Sequence, residues 1–166
     1  MVETDRLTGK DYLVNEQYRD ATNLRARMQL HERFSVNERG WHQWVFDQFD
    51  VDARGAVLEV GCGPGTLWRT NGERILQGWV ITLGDLSPGM VEEAKENLQD
   101  LGHSIRIEQL DAQEIPFDEG AYDAVIANHM LYHVPDAAKA LSEMSRVLKP
   151  GGVLYAATNG RPDGPT

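Results

Sequence analysis

The sequence is short of cysteines, basic residues and long apolar runs, and each shortage argues against a class of protein. A single cysteine, Cys62, excludes an internal disulfide framework and is compatible with a reducing compartment. Lys and Arg total 16 against 26 Asp and Glu, a formal net charge of −10 that argues against a nucleic-acid partner. No eighteen-residue apolar run and no signal-peptide segment is evident. We therefore expect a cytoplasmic protein with no nucleic-acid and no membrane partner.

What the chain does contain is a glycine-rich turn at residues 57–65, Val-Leu-Glu-Val-Gly-Cys-Gly-Pro-Gly. The apolar run indicates a buried parallel strand, and Gly61, Gly63 and Gly65 would let the backbone turn tightly and approach a ligand closely. A dinucleotide fingerprint places its third glycine one position later, so a nicotinamide oxidoreductase is disfavoured. The alternatives are a nucleotide-like ligand at this turn and a glycine-rich turn that binds nothing.

A carboxylate follows at the spacing that a ribose-binding residue requires. Residues 79–85 form a second apolar run that ends in Asp85, twenty positions after Gly65. A carboxylate at the end of the second strand is suited to two vicinal hydroxyl donors. Taken alone, Asp85 is better explained as an acid at the start of a helix, with Ser87 as the helix cap and Pro88 in the first turn. Together with the glycine turn, the binding role is favoured.

Four ordered motifs show a resemblance to a known family. They lie at 57–65, 83–90 (Leu-Gly-Asp-Leu-Ser-Pro-Gly-Met), 110–117 (Leu-Asp-Ala-Gln-Glu-Ile-Pro-Phe) and 148–152 (Leu-Lys-Pro-Gly-Gly). Over roughly residues 55–158 the chain resembles class I S-adenosylmethionine-dependent methyltransferases, nearest to the small-molecule branch. The resemblance implies S-adenosylmethionine as cofactor, S-adenosylhomocysteine as product, and methyl transfer to a small-molecule acceptor by in-line displacement.

The resemblance also assigns cofactor contacts to ten positions. The three glycines would lie against the methionine part, Glu59 would act on the amino group, and Asp85 would hold the ribose hydroxyls. The remaining predicted contacts are apolar ones near the adenine from Leu86 and Met90, polar ones to the adenine from Asp111 and the Ala112 N–H, and a cofactor contact from Asn128. The alternative for Asp111 is a turn residue after the third strand, and the surrounding motif favours the binding role.

Two histidines after the fourth strand are candidate catalytic residues. His129 or His133 would act as a general base, since imidazole titrates near neutral pH and the carboxyl ends of strands face the ligand crevice. The alternative is that both are polar residues lining a turn. Their spacing of four also suits a metal, but no further His, Cys or carboxylate cluster supplies a third ligand, so we predict no metal.

From residue 56 the chain alternates strands and helices, which predicts an α/β fold with an open parallel sheet and helices on both faces. An N-terminal helical segment (1–54) would precede a cofactor-binding core (55–160) and a tail (161–166). Within the first, we predict one or two helices over 11–34 and a capping box of Ser35 and Glu38. The aromatic stripe through 41–49 would pack in the core or cap the ligand. The predicted strands are 56–60, 79–84, 104–109, 122–128 and 152–158, and the clearest helices are 88–100 and 136–148.

The sequence after the fifth predicted strand is rich in turn residues and has no strand signal. Class I methyltransferases have seven strands, so we interpret the chain as a truncated form or a naturally shortened relative. The fifth strand would then be a bare edge, and a homodimer is a reasonable hypothesis. The shortness also leaves open a protein that binds S-adenosylmethionine without turnover.

Overall fold

A computed structural model of the chain describes residues 39–158 together with Arg33. Apart from Arg33, the predicted helices at 11–34, the Ser35–Glu38 capping box and the tail at 161–166 lie outside the described residues. Of the predicted N-terminal segment 1–54, the description covers 39–54 and Arg33.

Five parallel strands form one sheet in the order β3-β2-β1-β4-β5. The strands are β1 (Ala56–Val60), β2 (Val80–Asp85), β3 (Ile105–Gln109), β4 (Tyr122–Asn128) and β5 (Leu148–Ala157). The order reverses between β1 and β4, where the chain crosses from one half of the sheet to the other. At such a point the loops on the carboxyl side diverge and leave a crevice for a ligand. The predicted α/β fold class is confirmed.

The central strands are apolar along their length because both faces of the sheet are covered. Val57 lies in a hydrophobic cluster on one face, while its neighbour Leu58 lies in a second cluster on the other face. Both side chains are no more than 1% exposed. Burial on both faces is what a continuous apolar run in a parallel strand signifies.

Four helices flank the sheet in the described region, and their ends follow local capping chemistry. They are α1 (Trp41–Phe46), α2 (Thr66–Thr70), α3 (Pro88–Leu98) and α4 (Ala137–Val147), with short 3-10 turns at Gly72–Arg74 and Leu131–His133. The Ser87 hydroxyl accepts from the Met90 N–H at 3.3 Å, and the Asp136 carboxylate accepts from the Lys139 N–H at 2.9 Å. Each satisfies a backbone donor that has no partner within its own helix.

The start of β5 differs from its predicted position. The strand begins at Leu148, directly after α4, instead of at residue 152. Tyr122 pairs with Leu148 and Ala124 pairs with Val153, so the residues between bulge out of the ladder. Gly151 supplies a left-handed conformation there (φ 83°). Residues 148–151, which were predicted to precede the strand, therefore belong to it and include the bulge.

The aromatic stripe is divided between the core and the surface. Phe46 is 7% exposed and packs against the rings of Trp68 and Trp79, with centroid distances of 6.2 and 5.8 Å. Trp41 and Trp44, from the same helix, are 40% and 44% exposed. A one-and-a-half-turn helix thus buries its carboxyl end and presents its amino end to solvent.

Candidate functional site

The candidate site lies where the carboxyl ends of β1, β2 and β4 meet. The N–H groups of Gly61 and Cys62 both donate to the Gly84 carbonyl, at 2.8 and 3.1 Å. These bonds continue the β1–β2 pairing for one step beyond the strand and fix the start of the glycine turn. The turn therefore leaves the sheet at a defined place beside the switch in strand order.

All three predicted glycines have a backbone conformation that other residues rarely adopt. The φ angles of Gly61, Gly63 and Gly65 are 73°, 53° and 75°. A Cβ on Gly61 would lie 2.7 Å from the Met130 Cβ, and one on Gly65 would lie 2.8 Å from the Leu98 Cδ1. Both the left-handed conformation and the close neighbours require glycine. We call the turn from Gly61 to Gly65 the glycine cradle.

Asp85 joins the end of β2 to the cradle. Its Oδ2 accepts from the Gly63 N–H and its Oδ1 from the Ser87 N–H, both at 2.9 Å. Asp85 is partly buried, and each of its carboxylate oxygens holds one backbone donor. An ionised carboxylate offers about four acceptor positions. Two backbone bonds therefore leave acceptor capacity for hydroxyl donors of a ligand.

Glu59 is held from the core side by a tryptophan. Its side chain is 3% exposed, and its Oε2 accepts from the Trp68 Nε1–H at 2.7 Å. Trp68 is fully buried in α2, the helix that begins directly after the cradle. The indole therefore fixes the orientation of the Glu59 carboxyl group near the end of β1, two residues before Gly61.

Burial dominates the electrostatics of this site. It raises the pKa of Glu59 to about 8, against the lowering effect of the Trp68 hydrogen bond, and the charge of Asp85 raises it further. Burial likewise raises the pKa of Asp85, opposed by the backbone donors of Ser87 and Gly63, and raises the pKa of the Cys62 thiol. None of the ion pairs between described residues includes Glu59 or Asp85. Two carboxyl groups thus share a poorly solvated space that a positively charged ligand group would suit.

The residues predicted to contact the adenine differ in how exposed they are. Leu86 is partly exposed, whereas Met90 and Ala112 are buried, at 1% and 6% exposure. The Asp111 Oδ1 accepts from the Gln113 N–H at 2.9 Å, which closes the turn after β3. Asp111 therefore has the turn role, and its adenine contact stays a prediction, as do those of the other three.

Two histidines follow β4, and the ring of one of them contacts Trp41. Asn128 ends β4 and is partly exposed. His129 has a left-handed backbone (φ 53°), its N–H donates to the Ala157 carbonyl at 2.8 Å, and its ring lies 4.9 Å from that of Trp41. His133 lies 4.3 Å, ring to ring, from Tyr132. A non-glycine residue at positive φ is uncommon and often marks a functional position.

Three residues of the site were not found from the sequence. Trp68 orients Glu59 and gives no local signal, because an apolar residue in a helix predicts only burial. The second residue is Gly84, where a Cβ would lie 2.0 Å from the Leu110 Cδ2. Asn97, from α3, donates its Nδ2–H to the Pro64 carbonyl at 2.9 Å. Gly84 alone had a detectable signal, a glycine inside an apolar strand next to a glycine-rich turn.

Among residues 39–158 and Arg33, no group of three His, Cys, Asp or Glu side chains could hold a metal ion. No helix of that part of the chain is long and apolar enough to cross a membrane. An open groove of about 670 Å³ lies at the opposite edge of the sheet, beside Arg146 and Lys149. It is remote from the carboxyl ends of the strands.

The residues present fit S-adenosylmethionine on chemical grounds. The cradle has no side chains at Gly61, Gly63 and Gly65, so a ligand can approach its backbone closely, and Asp85 offers acceptors to hydroxyl groups. Asp85 offers negative charge to the cationic groups of that molecule, and the Glu59 carboxyl group offers an acceptor oxygen to its ammonium group. The fold and this site together define a Rossmann-like α/β protein with an acidic, glycine-rich ligand cradle.

Comparison with known proteins narrows this class to a family. The family model described as a methyltransferase domain matches residues 58–156. The chain is 31% identical over 129 residues to the ubiquinone/menaquinone biosynthesis C-methyltransferase UbiE of Hahella chejuensis, covering 76% of this chain and 52% of that protein. It is 32% identical over 122 residues to a demethylmenaquinone methyltransferase of Staphylococcus epidermidis, covering 74% and 50%. The chain belongs to the class I S-adenosylmethionine-dependent methyltransferases.

Solved structures share the same fold. The [4+2]-cyclase SpnF superposes with a TM-score of 0.64 at 28% identity, covering 69% of this chain and 42% of that one. A methyltransferase-like protein of Bacillus halodurans superposes with a TM-score of 0.66 at 24% identity, covering 75% and 53%. The chain spans about half the length, or less, of the curated relatives it matches.

Proposed function

We propose that this chain binds S-adenosylmethionine at the glycine cradle and transfers its methyl group to a small-molecule acceptor. The observation that carries the proposal is the Asp85 carboxylate, which ties the cradle to β2 and has acceptor capacity beyond its two backbone donors. This one side chain fixes the loop and presents acceptors at the edge of the same crevice. Family membership supports the class of reaction, and the geometry of the glycine cradle supports the location of the cofactor site.

The protein's own contribution is binding, orientation and exclusion of water. S-Adenosylmethionine supplies, when bound, a methyl group already activated by its sulfonium. Glu59, held by Trp68, would attract the cofactor's amino group, and Asp85 would accept from the ribose hydroxyls. Leu86, Met90, Asp111, Ala112 and Asn128 remain proposed contacts. Holding two reactants in alignment contributes on the order of 7 kcal/mol to lowering a barrier.

His129 and His133 are the proposed general bases. Methylation of an acceptor at O–H, N–H or C–H releases a proton, which a neutral imidazole can accept. His129 follows β4 directly and lies beside Met130, which packs against the cradle. Of the two, His129 is therefore the one that the chain order places next to the cofactor site.

The names of the relatives support a class of acceptor to test first. Several are named for ubiquinone, menaquinone or demethylmenaquinone methylation. We propose a quinol-type ring as the acceptor class, with 1,4-dihydroxynaphthalene as a soluble probe. Formation of S-adenosylhomocysteine from S-adenosylmethionine only when the probe is added would support transfer.

A second candidate is a cofactor-binding protein that transfers no methyl group. It is favoured by the solved neighbour described as a [4+2]-cyclase, which shares this fold at 28% identity. Fold alone does not settle function. Tight cofactor binding without methyl transfer to any of a panel of oxygen, nitrogen, carbon and sulfur acceptors would favour this alternative.

The first experiment is a calorimetric titration of S-adenosylmethionine and S-adenosylhomocysteine into the chain and into Asp85→Asn. Removing the charge from a ribose-binding carboxylate should cost about 1.5–3 kcal/mol, more than tenfold in affinity. Asp100→Asn, at an exposed acid on the surface that pairs with Arg69, is the matched control and should bind like the wild type. No binding by folded wild type, or equal binding by Asp85→Asn, would contradict the proposal.

Two further properties are proposed from the sequence. Within the described region no strand pairs with the outer side of β5, and an unpaired edge invites association. We propose a homodimer through that edge; a monomeric mass by light scattering across a wide concentration range would refute it. The cytoplasmic location also stays a prediction, which fractionation of the source cells would check.

A further inference from the structure

Two exposed tryptophans lie on the same short helix, in contact with a ring that follows β4. The rings of Trp41 and Trp44 are 5.4 Å apart, and the ring of Trp41 is 4.9 Å from that of His129. Trp41 and Trp44 are 40% and 44% exposed, although tryptophan is usually highly buried. We call these three residues the aromatic wall.

The wall is continuous with the glycine cradle. Met130, the residue after His129, lies so close to Gly61 that a Cβ on Gly61 would be 2.7 Å from the Met130 Cβ. His129 is itself fixed by its backbone bond to Ala157 of β5. The surface therefore runs from Trp41 across His129 and Met130 to the cradle.

Buried polar contacts hold the wall's helix on the core. The Asn71 side chain is 1% exposed and donates to the carbonyls of His42 in α1 and Leu67 in α2, at 3.1 and 2.8 Å. Arg74 donates to the Asn71 Oδ1 at 2.8 Å, pairs with Asp47 after α1, and covers the ring of Phe46. With Phe46 buried, the helix cannot turn the two tryptophans inward without breaking these contacts.

We propose that the aromatic wall binds a planar, unsaturated acceptor ring beside the cofactor cradle, and that Trp41 determines this specificity. The inference rests on the proposed function and deepens it. Aromatic rings prefer offset or edge-to-face neighbours, and each such pair adds affinity beyond its buried area. A saturated ring of the same carbon skeleton lacks a π face and loses that part of the affinity. The wall thus selects the acceptor by shape and by π character.

The test uses two probes of equal skeleton, 2-naphthol and decahydro-2-naphthol, with S-adenosylhomocysteine present. The chain has four tryptophans, and Trp68 and Trp79 are buried, at 0% and 9% exposure. In a ¹⁵N-labelled chain, 2-naphthol should shift the indole N–H signals of Trp41 and Trp44 and leave those of Trp68 and Trp79 in place. The saturated probe should bind about three- to tenfold more weakly.

Variants separate the wall from the cofactor site. Trp41→Leu should weaken 2-naphthol binding about three- to tenfold and remove the preference over the saturated probe, and Trp41→Phe should retain it. Affinity for S-adenosylhomocysteine should stay within about twofold in both. Val80→Thr, at a position 62% exposed at the far end of β2, is the control and should change neither affinity.

The outcomes distinguish this inference from the proposed function. Failure of S-adenosylhomocysteine to bind would overturn the proposed function, and the inference with it. Normal cofactor-product binding with equal affinity for both probes would overturn the inference alone. So would a Trp41→Leu variant that binds 2-naphthol like the wild type, or shifts confined to the buried indoles.

Discussion

At the scale of single residues, the most unusual group is Glu59, a carboxyl group buried at the end of a central strand. Burial raises its pKa to about 8, and its titratable neighbours are Asp85 and Cys62, which interact with it electrostatically. In the unfolded chain, where the carboxyl group is solvated, its pKa is the ordinary 4.5. Between these two pH values the folded chain therefore holds a proton that the unfolded chain has released.

This difference predicts that the free energy of unfolding decreases as pH rises from about 5 to about 8. A one-proton difference changes that free energy by at most about 1.4 kcal/mol per pH unit, and the raised pKa of Asp85 acts in the same direction. Glu59→Gln keeps an acceptor for the Trp68 N–H and should flatten the slope measured by urea denaturation. Glu96→Gln, at an exposed position of α3, should leave it unchanged. An unaltered slope in Glu59→Gln would show that Glu59 is ionised in the folded chain.

At the scale of elements, the site depends on how closely β2 approaches its neighbours. Gly84 accepts two hydrogen bonds from the cradle through its carbonyl and has Leu110 over its Cα. Leu110 is 5% exposed and packs in the cluster beneath α4, so it has little room to move. A side chain at position 84 would therefore push either Leu110 or the strand that positions Asp85.

We expect Gly84→Ala to destabilise the chain by about 1–3 kcal/mol, because the new Cβ overpacks this contact. In a Leu110→Ala background the same change should cost much less, so that the two substitutions are strongly non-additive in thermal or denaturant unfolding. Gly40→Ala is the control, since its Cβ would meet nothing closer than the Gln43 Oε1 at 3.8 Å. If the destabilisation by Gly84→Ala and by Leu110→Ala were additive, the contact between position 84 and Leu110 would not be the cause of the strain.

The elements also show what the sequence can and cannot predict. Apolar runs located all five strands, and Ser87 and Asp136 located the starts of two helices, because these signals are local. The bulge in β5 and the hydrogen bond between Trp68 and Glu59 depend on how separate segments pack together. No local sequence pattern therefore predicts them. The glycine turn was predictable because a backbone at positive φ usually requires glycine. Asp85 was predictable from its position at the end of the next strand, twenty residues after Gly65.

At the scale of the whole molecule, the parallel sheet collects the candidate residues at one edge. Glu59, Asp85 and Asn128 come from three strands far apart in the chain, yet β1 pairs with both β2 and β4. The open groove beside Arg146 and Lys149 lies at the other edge, and no predicted site residue lines it. The two edges are therefore competing locations for a ligand, and we propose that the ligand binds at the first.

The most direct test is an NMR titration of the ¹⁵N-labelled chain with S-adenosylhomocysteine. The account predicts that the backbone amide signals of Gly61, Gly63 and Asp85 shift with one saturating affinity, while those of Arg146 and Lys149 stay in place. Gly63 is the sharpest reporter, because its N–H donates to the carboxylate proposed to bind the ribose. Shifts centred on Arg146 and Lys149, or no saturable shift in a folded chain, would contradict the account.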